Sequence, residues 1–254
     1  MVNAAPRRRL SELPTIAEVV ALNLTGVRRR LEQAARTAGR DPASIRLVAV
    51  SKTFSQEAVR AAAASGQLDF GENRVQEGLQ KIRATADQPL RWHLIGHLQS
   101  NKAKKAVESF ALIHSIDGVD LLRKVDDAAV ALERTPEVLV QVDMAGEATK
   151  FGAPEDSVAA IFEAAESLRA ARLVGLMLLP PFAESLEEAR PWFRRLRELR
   201  DRLAAQGVPA ARLRELSMGM SHDFTVAIEE GATMVRIGTA IFGERPQAGG
   251  TETV

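Results

Sequence analysis

A short apolar run, a polar turn and a helical pattern recur eight times along this 254-residue chain, and that alternation constrains the fold more than any other feature. The runs are Ile45–Ser51, Leu68–Phe70, Arg91–Ile95, Ala111–Ser115, Glu137–Val142, Leu173–Leu179, Leu213–Ser217 and Thr233–Ile237. Their apolar, β-branched character is that of parallel strands covered on both faces. Helical stretches lie between them. Gln56–Ala64 is broken by Gly66; Gly71 marks a turn into the next; Ser100 caps a helix to about Glu108; Asp117 caps one through Leu132; Pro154 opens another. Leu186 to Ala205 is long and amphipathic, with Pro191 marking a true start or a kink, then come His222–Glu229 and a short Gly238–Gly243 turn. Ahead of the repeat, Ile16, Val19, Val20, Leu24, Val27 and Leu31 predict a leading helix over about 13–39, stopped by Gly39 and Asp41-Pro42. No Pro/Gly/Ser-rich seam divides the chain, so 1–254 is expected to be one domain with a flexible tail over about 247–254. Eight units over this length predict an α/β fold, a single TIM-type (β/α)8 barrel. An open doubly wound sheet of six or seven strands competes, but no Gly-rich dinucleotide fingerprint follows the first strand.

Composition narrows the functional classes. The net charge of +1 offers no field for nucleic acid, and no apolar run approaches the roughly 20 residues that cross a bilayer. Arg7-Arg8-Arg9 is followed by no apolar stretch and is expected to be a solvated tail. The chain has no cysteine, hence no disulfide, thiolate metal site or cysteine nucleophile, which suits a cytoplasmic location. Tyrosine is absent too, which removes the phenol from the possible acid/base groups. His93, His97, His114 and His222 lack the spacing of a metal site, and neither a Gly-x-Ser-x-Gly elbow nor a Walker loop is present. Few aromatics and no obvious uncovered apolar stripe suggest a monomer.

A barrel gathers the carboxyl ends of its strands around one mouth, so Lys52, Asn73, Gly96, Ser115, Asp143, Met177, Ser217 and Arg236 become neighbours. Lys52 is either an ordinary surface lysine or, partly desolvated at a strand end, an amine suited to bonding a carbonyl carbon. The segments Ser217–His222 and Arg236–Thr239 follow the seventh and eighth strands, where such barrels commonly bind phosphate. Ser217 and Ser221 could bond phosphate oxygens or be a turn serine and a helix cap. Arg236 lies in an apolar strand and needs a partner, the simplest being a structural carboxylate.

Six segments carry a resemblance to a known family. Ala49-Val50-Ser51-Lys52, Phe70-Gly71-Glu72-Asn73, Trp92-His93-Leu94-Ile95-Gly96, Leu98-Gln99-Ser100-Asn101-Lys102, Ser217-Met218-Gly219-Met220-Ser221 and Val235-Arg236-Ile237-Gly238-Thr239 resemble, in order, the YggS/PROSC family of pyridoxal 5′-phosphate (PLP)-binding proteins. The resemblance runs from about Ile45 to Pro246. It implies a single barrel of PLP fold type III, similar to the N-terminal domain of alanine racemases. It further implies that Lys52 carries PLP as an aldimine, that Asn73 lies by the ring, and that Ser217, Ser221, Gly238 and Thr239 hold the phosphate. Arg236 would face the pyridine nitrogen and Met177 would line the same pocket. An arginine in that position leaves the ring nitrogen unprotonated and weakens the ring as an electron sink. Alanine racemases share the arginine but use a tyrosine as second base, which this chain lacks. The family's role implies vitamin B6 homeostasis, with PLP held and delivered, PLP-dependent apoenzymes as possible recipients, and no established turnover. A racemase-like enzyme using His97 or His222 is one alternative, and a barrel isomerase or aldolase that takes the carbonyl of a phosphorylated sugar on Lys52 is another. His97, His222 and Phe151 stand where many relatives carry other residues.

Overall fold

The computed structural model describes residues 14–146, 151–182 and 184–244; the C-terminal tail and the Arg7-Arg8-Arg9 cluster lie outside them. Among the described residues nine strands form one parallel sheet: β1 (Arg46–Val50), β2 (Asp69–Glu72), β3 (Arg91–Leu94), β4 (Leu112–Ile116), β5 (Glu137–Asp143), β6 (Ala153–Pro154), β7 (Arg172–Leu178), β8 (Glu215–Ser217) and β9 (Met234–Ile237). The order β4-β3-β2-β1-β9-β8-β7-β5, with β4 also paired to β5, closes eight of them into a ring. The seam is made by β1 and β9, in register from Arg46 against Met234 to Ala49 against Ile237. The expected (β/α)8 barrel is therefore the observed architecture. Strand β6 was not anticipated: it pairs Ala153 with Val142, beyond the last β4–β5 partners Ile116 and Val140, and raises the barrel rim there.

The helices are α1 (Ile16–Thr37), α2 (Gln56–Ala64), α3 (Val75–Ala84), α4 (Ala103–Ser109), α5 (Val119–Ala131), α6 (Val158–Ala164), α7 (Leu186–Ala205), α8 (Phe224–Glu229) and α9 (Thr239–Phe242). Helix α1 opens on a capping box, in which Thr15 Oγ1 accepts from Glu18 N at 3.2 Å and Glu18 accepts from Thr15 N at 2.8 Å. Its buried stripe of Val20, Leu24, Val27, Leu31, Ala34 and Ala35 packs on α2, α8 and α9, across the seam. The main core lies between the outer face of the ring and the helices, and Phe70 and Trp92, 5.4 Å apart, belong to it. A smaller cluster of Leu112, Leu139, Val174, Met177 and Met234 forms a separate apolar core. Among the described residues no helix is long and apolar enough to cross a membrane.

Several boundaries differ from the sequence expectation for identifiable reasons. Gly71 is a strand residue and not a turn, since it pairs with Val50 and His93; a Cβ there would lie 3.1 Å from Val48 Cγ1 and 3.2 Å from Ile95 Cδ1. Gly118, not Asp117, is the N-cap of α5. Ser100 begins a 3-10 turn ahead of α4. Pro154 ends β6 and precedes a 3-10 turn, so α6 starts at Val158. Helix α7 runs unbroken from the cap Ser185, with Pro191 on its exposed side.

Candidate functional site

A cavity of about 510 Å3 opens at the carboxyl ends of the strands, a size typical of sites that enclose a small cofactor. Val50, Ile95, Leu179 and Met220 supply apolar walls; Lys52, Asn73, Gln141, Ser221, His222, Arg236, Gly238 and Thr239 supply polar ones. Of the residues expected at the mouth, Lys52, Asn73, Gly96, Ser221, Arg236, Gly238 and Thr239 thus share one cavity. Met177, Ser217, Ser115 and Asp143 are not on its wall. Met177 is fully buried in the small apolar cluster. Ser217, also fully buried, spends its hydroxyl on Arg236 and His114. Ser115 is buried at the irregularity of the β4–β5 register between Ile113 and Ile116, while Asp143 accepts from Ala145 N and Gly146 N.

Lys52 sits just past β1, in a turn clamped from both sides. Lys81 Nζ of α3 donates to Ser51 O at 2.6 Å, and Thr53 N donates to Glu77 Oε1 at 2.7 Å. Thr53 has φ +69°, strained for a β-branched residue and sustained by that bond. Lys81 also pairs with Glu72 Oε1 at 2.7 Å, and Ser51 Oγ donates to the same oxygen at 2.7 Å. Burial pushes the Glu72 carboxyl above its usual range, against the pull of Lys81 and Ser51. Sequence reasoning missed this clamp, although Glu77 and Lys81 stand at the i, i+4 spacing that joins opposite charges on one helix face. Asn73 is held by contact: a Cβ on Gly96 would lie 2.2 Å from Asn73 O, so only glycine lets the two turns meet.

On the far side of the seam, Ser221 Oγ accepts from Gly238 N at 3.2 Å and Ala240 N at 3.3 Å, at the start of α9. Gly238 presses on β1, where an added Cβ would lie 3.2 Å from Val50 O. The loop that delivers Ser221 turns at Gly219, with φ +92°, and is closed by Asp223 Oδ1 accepting from Met220 N at 2.6 Å. Burial raises the Asp223 carboxyl, against Met220 and Arg236.

Arg236 is 3% exposed and lines the cavity. Its Nη1 donates to Ser217 Oγ at 2.7 Å and its Nη2 to Leu178 O at 2.8 Å, which uses two of five N–H donors. Burial pulls it down to about 10, opposed by Asp223, so it stays charged at neutral pH. Among the described residues no carboxylate pairs with it, so the expected structural ion pair is absent. What the site offers chemically is an amine, an arginine with unused donors, and a hydroxyl beside two backbone N–H groups. An aldehyde, a ring acceptor and a phosphate, the three functional features of PLP, fit that set.

At the rim, His97 stacks on Phe151 with ring centroids 3.7 Å apart, and Gln141 donates to the Phe151 carbonyl. His97 Nδ1 lies 3.5 Å from Asp117 Oδ2.

Known proteins resemble the chain over most of its length. The family described as alanine racemase, N-terminal domain, matches residues 22–246. The pyridoxal phosphate homeostasis protein of Aquifex aeolicus is 45% identical over 222 residues, covering 87% of this chain and 96% of that one. PipY of Synechococcus elongatus, solved with PLP bound, superposes with a TM-score of 0.78 at 39% identity, over 88% of this chain and all of the other. An alanine racemase of Clostridium difficile, at 17% identity, shares the fold with a TM-score of 0.69 over 91% of this chain and 58% of its own. The chain belongs to the family of pyridoxal phosphate homeostasis proteins, built on the alanine racemase N-terminal domain fold.

Proposed function

We propose that this protein binds PLP in the barrel-mouth cavity, with Lys52 as its covalent anchor, and holds and delivers it within vitamin B6 homeostasis without turning over a substrate. The observation that carries the reading is Arg236: a buried cation with donors to spare, on the wall of the cavity that also exposes Lys52. When bound, the cofactor would supply an electron-withdrawing ring next to its carbonyl carbon. The chain's own residues bind and orient. Ser221, Gly238 and Thr239 hold the phosphate; Asn73 lies by the ring; and Arg236, which donates only, keeps a ring acceptor unprotonated. Met177 and Ser217 act from behind the wall, Met177 by packing and Ser217 through Arg236. The absence of tyrosine from the sequence supports a holding role, since a racemase needs a second base on the opposite face of the ring. PLP-dependent apoenzymes are the proposed recipients, and the protein is proposed to act as a cytoplasmic monomer.

Trapping tests the anchor. Protein mixed with PLP should gain a visible band, and borohydride reduction should place the label on the peptide containing Lys52, with none on Lys52→Arg. Label scattered over surface lysines would sink the reading. The racemase-like alternative draws on one observation, that His97 and His222 both line the cavity. It requires racemization of common amino acids that is lost in His97→Ala or His222→Ala while PLP binding persists.

A further inference from the structure

Four buried polar groups lead away from Arg236 through the barrel interior. Ser217 Oγ lies 2.9 Å from His114 Nδ1, His114 Nε2 lies 3.0 Å from His93 Nδ1, and His93 Nε2 lies 3.0 Å from Asp69 Oδ1. Asp69 Oδ2 accepts from Arg91 Nη2 at 2.6 Å, and Arg91 is more than half exposed at the amino end of β3, opposite the cavity. The line therefore runs from one end of the barrel to the other.

Its protons can be assigned from the ends inward. Arg236 only donates, so Ser217 Oγ accepts and keeps one hydrogen to place. If that hydrogen goes to His114 Nδ1, then His114 carries its proton on Nε2 and donates to His93 Nδ1. His93 then carries its own on Nε2 and donates to Asp69. Every bond runs the same way and ends on a carboxylate. The reverse assignment, with both rings neutral, leaves a bare His93 nitrogen 3.0 Å from the Asp69 carboxylate, lone pair against lone pair. Burial keeps both imidazoles below their usual value, His114 most, and His93 also against the pull of Asp69. Burial pushes Asp69 up, but its bonds from His93 and Arg91 bring it below the usual carboxylate range.

We propose that Ser217, His114, His93 and Asp69 form a one-way hydrogen-bond chain that gives Arg236 a remote counter-charge and holds it as a permanent donor toward the acceptor in the cavity. His114 and His93 are positioning residues in this scheme and Asp69 is the anion that sets its direction. A carboxylate directly on Arg236 would compete with a ligand for its donors; one relayed across the barrel stabilises the charge and leaves the donors available. The inference rests on the cofactor-binding reading only for the identity of the acceptor.

The test uses the ligand-free full chain with 15N-labelled histidine, together with His97→Gln and His222→Gln to identify the signals from the rim. His93 and His114 should each show a protonated Nε2 and a bare Nδ1, unchanged across neutral pH. A proton on either Nδ1, or a doubly protonated His93, overturns the chain. Asp69→Asn should move the His114 signals as well as those of His93; movement confined to His93 overturns the coupling. Should Asp69→Asn fail to fold, Arg91→Gln perturbs the same end from the exposed side and must shift both rings. In a separate arm, 4-deoxypyridoxine 5′-phosphate, which has no aldehyde for Lys52, should bind Asp69→Asn about tenfold more weakly than the parent, or about 1.4 kcal/mol. Equal affinity counts against the proposal. If the parent itself fails to bind while the ring protons are as assigned, the binding reading fails and the chain stands.

Discussion

Replacing Lys81 by methionine isolates the clamp beneath Lys52. The ammonium holds Ser51 O, Glu72 Oε1 and Glu77 Oε1 at 2.6, 2.7 and 3.0 Å, and the Glu72 side chain is completely buried. Methionine keeps the aliphatic stem but leaves a carboxylate with no cation, and Glu72 Oε2 already has no hydrogen-bond partner. Breaking a buried pair from one side destabilises by about 3–5 kcal/mol. For a chain of this size each kcal/mol moves the melting midpoint by about 2–4 °C, so Lys81→Met should lower it by about 6–20 °C. The loss should depend on pH with a definite sign. Glu72 already titrates above its usual value and must rise further without Lys81, so the folded state binds the proton more tightly than the unfolded one. The penalty is therefore complete above the raised folded value and shrinks as pH falls toward the unfolded one. Urea denaturation at pH 8 and pH 5, on Lys81→Met, Glu72→Leu and the double variant, completes the cycle. The double variant should recover most of the loss, because it removes the stranded charge. A single variant costing under about 1 kcal/mol, or a double one as unstable as Lys81→Met, would refute the reasoning.

Other predictions concern the rim, the turns and the interior. Gly96→Ala sets a methyl 2.2 Å from the Asn73 carbonyl oxygen, backbone against backbone, and should destabilise by more than the ~1–3 kcal/mol of ordinary overpacking, seen in a denaturant midpoint; a neutral result would mean that the two turns separate freely. Gly219→Ala combines φ +92° with a Cβ 2.6 Å from Ala227 Cβ and should cost at least about 1 kcal/mol, read the same way. Phe151→Ala removes a ring stacked on His97 at the rim, so the melting midpoint should shift by the equivalent of no more than about 1 kcal/mol; a larger fall would show that the stack closes the barrel. His93 and His114 are held neutral by burial, so the unfolded chain takes up protons that the folded one refuses, and stability should fall as pH drops below about 6.5, the usual histidine value. A melting midpoint flat from pH 7.5 to 5 would refute that.

The barrel was legible because each strand is bounded by a turn and followed by a helix; the eight runs survive in the structure with ends displaced by a few residues. Lys52 and Arg236 stood out because a cation at the end of, or inside, an apolar strand demands a reason. The chain behind Arg236 was not legible. His93 and His114 meet because Leu112 is the partner of His93 in the β3–β4 register, which sets His114 two residues on and on the same face. Nothing in the spacing of the two histidines reveals that register. The place of Ser217 at a strand end predicts a mouth residue, but its hydroxyl is buried between Arg236 and His114, behind the cavity wall. A glycine after an apolar run predicts a turn, but Gly71 clears space for Val48 and Ile95.

The seam between β1 and β9 carries a consequence for synthesis. Lys52 leaves the first strand, Arg236 belongs to the last, and Gly238 presses against Val50 only once the ring has closed. A nascent chain that has made seven of the ring's eight strands owns Lys52 but neither Arg236 nor Gly238. Ligand affinity is then a property of the finished ring, and a ligand present at that moment favours closure by mass action. The cavity therefore reports on the whole polypeptide, since its wall is complete only when the last strand is in place beside the first.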